Sequence, residues 1–366
     1  MIDLFVLILF CCFIANRITI CSKGYDNVWH ATQKNVVIKI LYFMLVVALI
    51  LFSGLRTTYN DTSTYMQAFG FLRVDNIELS ILQEGYGGFE LFQKLLKKFV
   101  SEDPQIIIFS SSIIINLLYL WFFAKYSLRF DITILAYFIL GPYVFSMAGI
   151  KQAIAMSICL LAIDNLIQKK YLKFVLWLLV AMTFHPYIIC MIALPLFVKE
   201  IWSFKMVGLF ILLTLVSSNL ELLLNITGLI GKDYTFVELT SHTINPVRVV
   251  VEIIPVVLSF FGRERIRACN NRFLNLGINM MIINSIMISL GLFMNPIYFG
   301  RIGTYFSAIN AVVVPMMLSN IIKRNGHYKI NLFIYYGIYT AYFVLDLTKL
   351  GNISIFYDLF NHITLF

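Results

Sequence analysis

Residues 171–198 read YLKFVLWLLVAMTFHPYIICMIALPLFV, and this stretch decides how often the chain crosses a membrane. It is long enough for one tilted transmembrane helix. Pro186, however, ends a helix and pushes the residue before it, His185, out of helical geometry. If the stretch crossed the bilayer once, the basic loop 263–272 would lie opposite the basic loop 168–173, although Lys and Arg normally share one side. We therefore predict two short half-crossings that meet at His185.

The composition is that of a membrane protein. Of the 366 residues, 60% are hydrophobic and only 13% are charged, and the mean hydropathy is +0.85. A soluble domain is closer to half apolar and a quarter charged, and a β-barrel shows short alternating segments rather than long apolar runs. The net charge of +9 lies mostly in short loops, so orientation on a membrane explains it, and we expect no nucleic-acid partner.

The predicted fold class is all-α: a polytopic integral membrane helical bundle, one domain over residues 1–366, with about 12 transmembrane or half-crossing segments. The segments are expected at roughly 3–19, 36–53, 105–124, 132–148, 152–167, 171–184, 187–198, 206–223, 246–262, 274–294, 299–320 and 329–346. In this topology both termini face outward, and the inward loops hold 18 of the 28 Lys and Arg residues. Those loops are 17–39, 125–131, 168–173, 199–205, 263–272 and 323–329.

The longest outward-facing segment is the predicted extracytoplasmic loop 54–104, which contains five basic and seven acidic residues. Within it, residues 88–100 have apolar side chains at helical spacing and lysines on the opposite face. This pattern predicts an amphipathic helix in the outer headgroup layer. The alternative is an ordinary surface helix that packs on the rest of the protein.

Four cations fall at the outward ends of predicted segments: Arg56, Lys151, Arg248 and Arg301. Positive charge on that side opposes the usual inside bias, and ionisable groups near a membrane core tend to mark function. We expect these cations to converge on an anionic ligand at the outer leaflet. For Arg248 a simpler alternative is an i,i+4 pair with Glu252.

The first candidate cluster follows the second segment and contains Arg56, Asp61 and Tyr65. The planar guanidinium of arginine suits phosphate, and Asp61 could orient it, act as a base or contact sugar hydroxyls. The alternative is a local Arg–Asp pair that only fixes the loop.

Two other candidate sites lie at helix beginnings. Lys151 and Gln152 open the fifth segment, and Arg301 opens a long apolar helix with Tyr305 one turn later. Backbone N–H groups at a helix N-terminus attract anions, so a bound anion would relieve the conflict between the cation and the helix dipole. The alternatives are a snorkelling lysine and an interfacial anchor of aromatic and cationic residues.

The candidate catalytic groups are His185, Asp61 and Glu84. A histidine at a helix break in the membrane region could accept a proton, donate one or hydrogen-bond to phosphate oxygens, unless it is a satisfied core histidine. Glu84 precedes the glycine-rich turn 85–88, which could place its carboxylate in a cleft. The choice of base among these three and His242 stays open.

Familiar nucleotide and metal machinery is missing from the sequence. It contains no Walker A sequence, no HExxH, no GxSxG and no GxGxxG. Carboxylate and histidine clusters with metal-ligand spacing are lacking too, so we expect no metal and no cofactor. The inward loops are too short for a nucleotide-sugar domain, so any substrate must arrive already activated and react at the outer side.

Several stretches resemble the EpsG family of Wzy-type membrane proteins. They are GLRTTYNDTSTY (54–65), EGYGGFELFQKL (84–95), GIKQAIAMSICLLAI (149–163) and KKYLKFVLWLLVAMTFHPYIICMIALPLF (169–197), with a fainter similarity at RIGTYF (301–306). Carried over by motif, the resemblance implies a site made of Arg56, Asp61, Lys151, Gln152, His185 and Arg301. Lys151 stands where the resemblance leads us to expect arginine, so bidentate phosphate contact is lost there.

The resemblance implies a glycosyltransferase that polymerises a bacterial surface polysaccharide: O-antigen, capsule or exopolysaccharide. The glycan would leave undecaprenyl pyrophosphate and join a sugar hydroxyl of the next lipid-linked repeat, on the outer face of the inner (cytoplasmic) membrane. The implied partners are the undecaprenyl-pyrophosphate-linked oligosaccharide, the lipid bilayer, and a chain-length regulator and flippase of the same pathway. The alternatives are a ligase or acyltransferase and a flippase or transporter of lipid-linked oligosaccharide. The unusual cations lie on one side of the membrane, which favours an enzyme over a flippase, because a flippase must present its cations to both sides in turn.

Overall fold

The computed structural model describes residues 2–74, 87–219, 244–293, 296–322 and 328–349. Within these ranges every regular element is a helix, which confirms the predicted all-α fold class. The chain begins with α1 (Ile2–Cys21), α2 (Val28–Lys34), α3 (Val36–Gly54), α4 (Thr62–Phe71), α5 (Gly87–Phe99), α6 (Gln105–Tyr126), α7 (Phe130–Ile139), α8 (Pro142–Ala148), α9 (Ile150–Ile167) and α10 (Tyr171–Phe184). It continues with a 3₁₀ helix (Pro186–Val198), α11 (Phe204–Ser218), α12 (Pro246–Phe261), α13 (Arg263–Ala268), α14 (Arg272–Leu290), α15 (Pro296–Phe306), α16 (Asn310–Ile321) and α17 (Tyr328–Lys349).

Five of the described helices are long and apolar enough to cross a membrane: α1, α3, α6, α9 and α14. Two helix pairs are bent at a short break, α7 with α8 by 45° and α15 with α16 by 58°, so the number rises to seven if each pair is one span. Shorter apolar stretches of 10–17 residues are α10, the 3₁₀ helix, α11 and Leu332–Thr348 within α17, and they fall below the length of about 20 residues that a single crossing needs. The chain is thus a polytopic helical membrane protein, but the predicted count of about twelve segments is not confirmed.

Polar residues next to basic loops set where two long helices begin. The Asn35 side chain accepts hydrogen bonds from the backbone N–H groups of Val37 and Ile38 at the start of α3. The Asn271 side chain accepts one from the N–H of Leu274 at the start of α14. Asparagine is a favoured N-cap because it satisfies N–H groups that have no partner within the helix. These two helix starts therefore follow from local sequence.

The chain divides into two compact units. The first unit comprises Met1–Leu161, Thr183–His185 and Ile334–Phe366, and the second unit comprises Ala162–Met182 and Pro186–Phe333. The single domain over residues 1–366 stays a prediction.

In the first unit, α3 packs on α6 through small and hydroxyl side chains. A Cβ atom added to Gly54 would come within 2.8 Å of Cδ2 of Phe109, so only glycine allows this approach. The hydroxyls of Ser53 and Ser112 share a hydrogen bond of 2.6 Å, and Asn116 Nδ2 donates to Ser53 Oγ at 3.2 Å. In an apolar bundle, small residues let helices approach closely and polar side chains link them. This contact fixes the end of α3 against the start of α6.

In the second unit, α14 is the helix against which the others pack. Asn279 Nδ2 donates to the backbone carbonyls of Phe197 at 2.8 Å and Lys199 at 3.0 Å, which holds the end of the 3₁₀ helix. A Cβ atom on Gly277 would lie 2.2 Å from Cγ2 of Val313, so glycine lets α16 approach closely. Asn279 and Gly277 therefore lie on two different faces of α14, one that contacts the 3₁₀ helix and one that contacts α16.

The stretch 171–198 is broken at His185, as the sequence predicts. α10 ends at Phe184, and the 3₁₀ helix begins at Pro186. The break is a direct effect of Pro186, which has no N–H to donate and disfavours helical geometry in the residue before it.

The flanks of this stretch return to the same end of α14. Before the stretch, the Leu166 carbonyl accepts a hydrogen bond of 3.2 Å from Arg272 Nη2. After it, the Ile201 carbonyl accepts one of 3.0 Å from Arg267 Nε, and Arg267 pairs with Glu200 at 2.8 Å. Arg267 lies in α13 and Arg272 opens α14, so the two flanks of the stretch meet the chain at the same end of α14. The pair of half-crossings itself stays a prediction.

We therefore expect reporter fusions at residue 170 and residue 268 to report the same side of the membrane. The physical reason is that both positions belong to basic segments held together by Arg267 and Arg272. Paired fusions to a reporter active only in the cytoplasm and one active only outside it measure this. Opposite sides for the two positions would contradict the turn at His185.

Candidate functional site

Arg56 lies where α3 ends, and its side chain is only 2% exposed. Its Nε donates to Thr62 Oγ1 at 3.1 Å, its Nη2 donates to the Met147 carbonyl at 2.8 Å, and its Nη1 donates to the Ser53 carbonyl. Thr62 opens α4, and Met147 lies in the last turn of α8. One guanidinium therefore ties three helix ends together.

The turn between Arg56 and α4 has an unusual backbone. Tyr59 has a φ of 130° and Asn60 a φ of 48°, although neither is glycine. Thr62 Oγ1 closes the turn by donating to the Tyr59 carbonyl at 2.6 Å. Residues in such regions cost on the order of 1–3 kcal/mol and persist only where their surroundings impose them. The contacts of Arg56 and Thr62 supply that constraint here.

Arg56 is a buried cation, and the described residues give it no acidic partner. Among the residues that the structure describes, no carboxylate forms a hydrogen bond or ion pair with it. Burial lowers the pKa of Arg56 to about 10, and the nearby hydroxyls of Tyr143 and Tyr59 partly offset this effect. The side chain is thus charged at neutral pH. A buried charge without a counter-ion is strongly unfavourable, so this position favours an anionic ligand.

The local Arg56–Asp61 pair that the sequence left open is not formed. Asp61 is exposed, and its carboxylate makes no hydrogen bond to the start of α4. Thr62, one residue later, points inward instead and accepts the bond from Arg56. The two other roles of Asp61, as a base or as a contact to sugar hydroxyls, stay predictions.

Lys151 and Gln152 lie in the first turn of α9, where the sequence places them. Gln152 is buried and Lys151 is half-buried. The Lys151 Nζ atom is 5.1 Å from the centroid of the Phe89 ring, which is a cation–π distance. The Phe89 ring also meets the Tyr65 ring edge-on at 5.8 Å, and the Tyr65 hydroxyl acts electrostatically on the Arg56 cluster. Through Phe89, the first turn of α5 therefore contacts both Lys151 and Tyr65, the tyrosine near Arg56.

The same turn of α5 contacts the end of α10. A Cβ atom on Gly88 would lie 2.0 Å from Thr183 Oγ1, so the two backbones approach as closely as glycine permits. The rings of Phe92 and Phe184 are 6.3 Å apart. His185 directly follows Phe184 at the helix break and is 5% exposed. The structure therefore brings the His185 segment to the α5 turn that contacts Lys151.

The second half of α5 is anchored on α4. Lys97 Nζ donates to the carbonyls of Phe69 at 2.9 Å, Gly70 at 2.8 Å and Leu72 at 2.9 Å. A cation on the last carbonyls of a helix satisfies them and complements the helix dipole. The bounds of α5 agree closely with the predicted amphipathic helix at 88–100, and its first half packs on the protein. Phe99, at its end, is 71% exposed.

Three predicted site residues belong to the second unit. Arg248 and Arg301 are exposed, whereas Tyr305 is fully buried. Within the described chain, Arg248 and Glu252 form no ion pair. The Glu252 carboxylate accepts a hydrogen bond of 2.8 Å from Asn284 Nδ2 instead. The Arg248 charge nevertheless acts electrostatically on the Glu252 carboxylate, so the i,i+4 interpretation holds as a longer-range interaction and not as a direct ion pair.

The predicted site residues fall into three groups. The first unit contains Arg56, Asp61, Lys151, Gln152 and His185; the second contains Arg248, Arg301 and Tyr305; and Glu84 lies outside the described residues. Convergence of all four cations stays a prediction.

Sequence reasoning missed Gln105 and Met147. Gln105 Nε2 donates to the carbonyls of Gly54 at 2.7 Å and Arg56 at 3.0 Å, at the start of α6. Pro104 before it signals a helix start, but nothing local links position 105 to position 56. Contacts of this kind arise from packing of helices that are distant in sequence.

Comparison with known proteins gives one match. The sequence model of the EpsG family matches residues 39–359, a range that includes every predicted site residue. No curated protein matches the chain, and no solved structure matches it. The similarity seen in the motifs around Arg56, Lys151 and His185 is thereby confirmed.

We expect Gly88→Ala to lower the free energy of unfolding by about 1–3 kcal/mol, because the new methyl group overpacks against Thr183. Thermal unfolding of the purified protein in detergent micelles measures the change. Gly70→Ala is the matched control, because nothing lies within 4 Å of its added Cβ atom. In an open helical position, alanine should leave stability unchanged or slightly raised.

A double-mutant cycle isolates the contact. Thr183→Gly removes the Oγ1 and Cβ atoms that the new methyl group would meet, so Gly88→Ala should cost much less in that background. Strictly additive effects of the two substitutions would show that α5 does not pack on α10 in this way.

Proposed function

This chain belongs to the EpsG family, and on that premise we propose that it polymerises a bacterial surface polysaccharide. The family and the membrane helices already make it a membrane protein of polysaccharide biosynthesis. The finer proposal is that it transfers a glycan from undecaprenyl pyrophosphate to a sugar hydroxyl of the next lipid-linked repeat unit. The reaction would take place on the outer face of the inner membrane, within O-antigen, capsule or exopolysaccharide synthesis.

The observation that carries this proposal is the buried, positively charged Arg56 without an acidic partner in the described residues. A diphosphate is the kind of anion that such a position favours, since it offers several negatively charged oxygens. Lys151, half-buried in the first turn of α9, adds a second cation at a helix N-terminus, whose dipole favours anions. Three donors of Arg56 are already engaged, so Lys151 is the better candidate for direct contact, with Arg56 acting as a fixed charge behind it.

The chemistry needs only groups of this kind. The bond from the anomeric carbon to the pyrophosphate oxygen breaks, and its electron pair leaves on the pyrophosphate. The acceptor hydroxyl oxygen bonds to the anomeric carbon, and its proton passes to a base. Fixed cations stabilise the charge that develops on the leaving group, and in a water-poor site this effect is large. His185 is our candidate base in the first unit, with Asp61 and Glu84 as the competing carboxylates.

Lys151→Gln should lower the rate of chain extension by about 100-fold, because one charge that stabilises the leaving group is lost. Lys151→Arg should retain most activity, since it keeps the charge. Lys98→Gln, an exposed lysine of α5, is the matched control and should leave chain length unchanged. Gel analysis of surface glycan gives chain length, and immunoblotting of membranes confirms insertion.

A deletion strain belongs in the same experiment. A lost polymerase leaves single-repeat glycan at the surface, whereas a lost flippase leaves none. Total loss of surface glycan would therefore replace the polymerase by a transporter of lipid-linked oligosaccharide. Long chains made by Lys151→Gln would remove the lysine from the site.

His185→Asn should lower kcat by about 100-fold with little change in KM if His185 transfers the proton. The assay uses purified full-length protein and a lipid-linked repeat unit, with Asp61→Asn measured in parallel. Unchanged kcat for His185→Asn would make it a core residue, and a larger loss for Asp61→Asn would assign the base to the carboxylate.

A further inference from the structure

A groove of about 720 Å³ in the first unit is lined by residues of α2, α3 and α6. Most of its wall is apolar, with Val46, Val47 and Ile50 from α3 and Phe109 and Ile113 from α6. Its volume lies within the range of about 300–1,000 Å³ that is typical of small-molecule sites. None of the residues proposed for the glycan site lines this groove.

One end of the groove is polar. Trp29 and Gln33 of α2 and Lys39 of α3 line it, and Lys39 is the charged member of the lining. Within the described residues, the Lys39 ammonium and the Gln33 amide form no hydrogen bond or ion pair with the protein. The Trp29 ring meets the Tyr42 ring edge-on at 6.4 Å, which fixes the indole at the entrance. This end therefore offers a positive charge and hydrogen-bond donors that none of the described residues engages.

The groove is somewhat longer than one leaflet is thick. It extends along α3 from Lys39 to Leu51, which is about 18 Å at the rise of an α-helix. Half of a hydrocarbon core is about 15 Å thick. The polar end belongs to the basic loop 17–39, where lipid headgroups meet the helices. The apolar part then follows α3 through the hydrocarbon core as far as Leu51, near the other end of the helix, and acyl chains lie at this depth.

We propose that this groove binds one anionic phospholipid of the surrounding bilayer. Its phosphate contacts Lys39, its glycerol region lies beside Trp29 and Gln33, and one acyl chain lies along Val46 and Ile113. A lone cation among apolar residues selects a negative headgroup, and tryptophan is favoured at the level of lipid headgroups. The lipid bridges three helices, so its binding stabilises the scaffold that ends at Arg56. This site is independent of the proposed glycan chemistry.

The test uses purified full-length protein in dodecyl maltoside, with palmitoyl-oleoyl phosphatidylglycerol or phosphatidylcholine added. Native mass spectrometry counts retained lipid, and thermal unfolding measures the stabilisation. We expect phosphatidylglycerol, and not phosphatidylcholine, to be retained and to raise the unfolding temperature. Lys39→Gln should lower retention of phosphatidylglycerol about five-fold, and Lys34→Gln, the same change of charge in α2 outside the groove, should not.

A second variant tests the apolar part of the groove without changing charge. Val47→Trp fills the groove and should abolish retention while Lys39 is intact. The proposal is overturned if Lys39→Gln retains as much lipid as Lys34→Gln, or if both phospholipids bind equally. It is likewise overturned if the mass spectrum shows a second copy of the chain or a polyprenyl phosphate in place of the phospholipid.

Discussion

The interaction on which the first unit depends is the burial of the Arg56 guanidinium. It joins the end of α3, the start of α4 and the end of α8 through two backbone carbonyls and one hydroxyl. Because α9 follows α8 almost directly, the position of Arg56 also sets the position of Lys151. A cation that neutral acceptors hold in an apolar bundle keeps its charge and creates a positive field around it.

Such a field would allow Arg56 to hold the helices together and also to serve the proposed pyrophosphate site. A carboxylate beside Arg56 would neutralise it and make the site indifferent to anions. Carbonyls and a hydroxyl orient the guanidinium without cancelling its charge. The constrained turn at Tyr59 and Asn60 is consistent with this arrangement, since unfavourable backbone conformations persist where dense contacts impose them.

Helix α5 contacts several of the segments that contain candidate site residues of the first unit. It is too polar to cross a membrane, yet its first turn contacts Tyr65, Lys151 and Thr183 from three separate parts of the chain. Phe89 contacts Tyr65 and Lys151, and Gly88, which has no side chain, allows the backbone of α5 to approach Thr183. Its amphipathic spacing predicted the helix and its bounds to within one residue. The spacing did not predict which residues it would meet, because a helix face specifies an apolar partner but not its identity.

The sequence by itself determined the helical membrane fold, the starts of α3 and α14, and the break at His185, because each follows from short-range properties: apolar length, N-capping side chains and the geometry of Pro186. It also singled out Arg56, Lys151 and His185 as unusual. Only the tertiary structure decided that Thr62 rather than Asp61 holds Arg56, that Gln105 secures the same turn, and that the Glu252 carboxylate accepts a hydrogen bond from Asn284. The packing of helices that are distant in sequence determines those partners. Close approach of the helices at glycines determines which side chains lie within reach of each other.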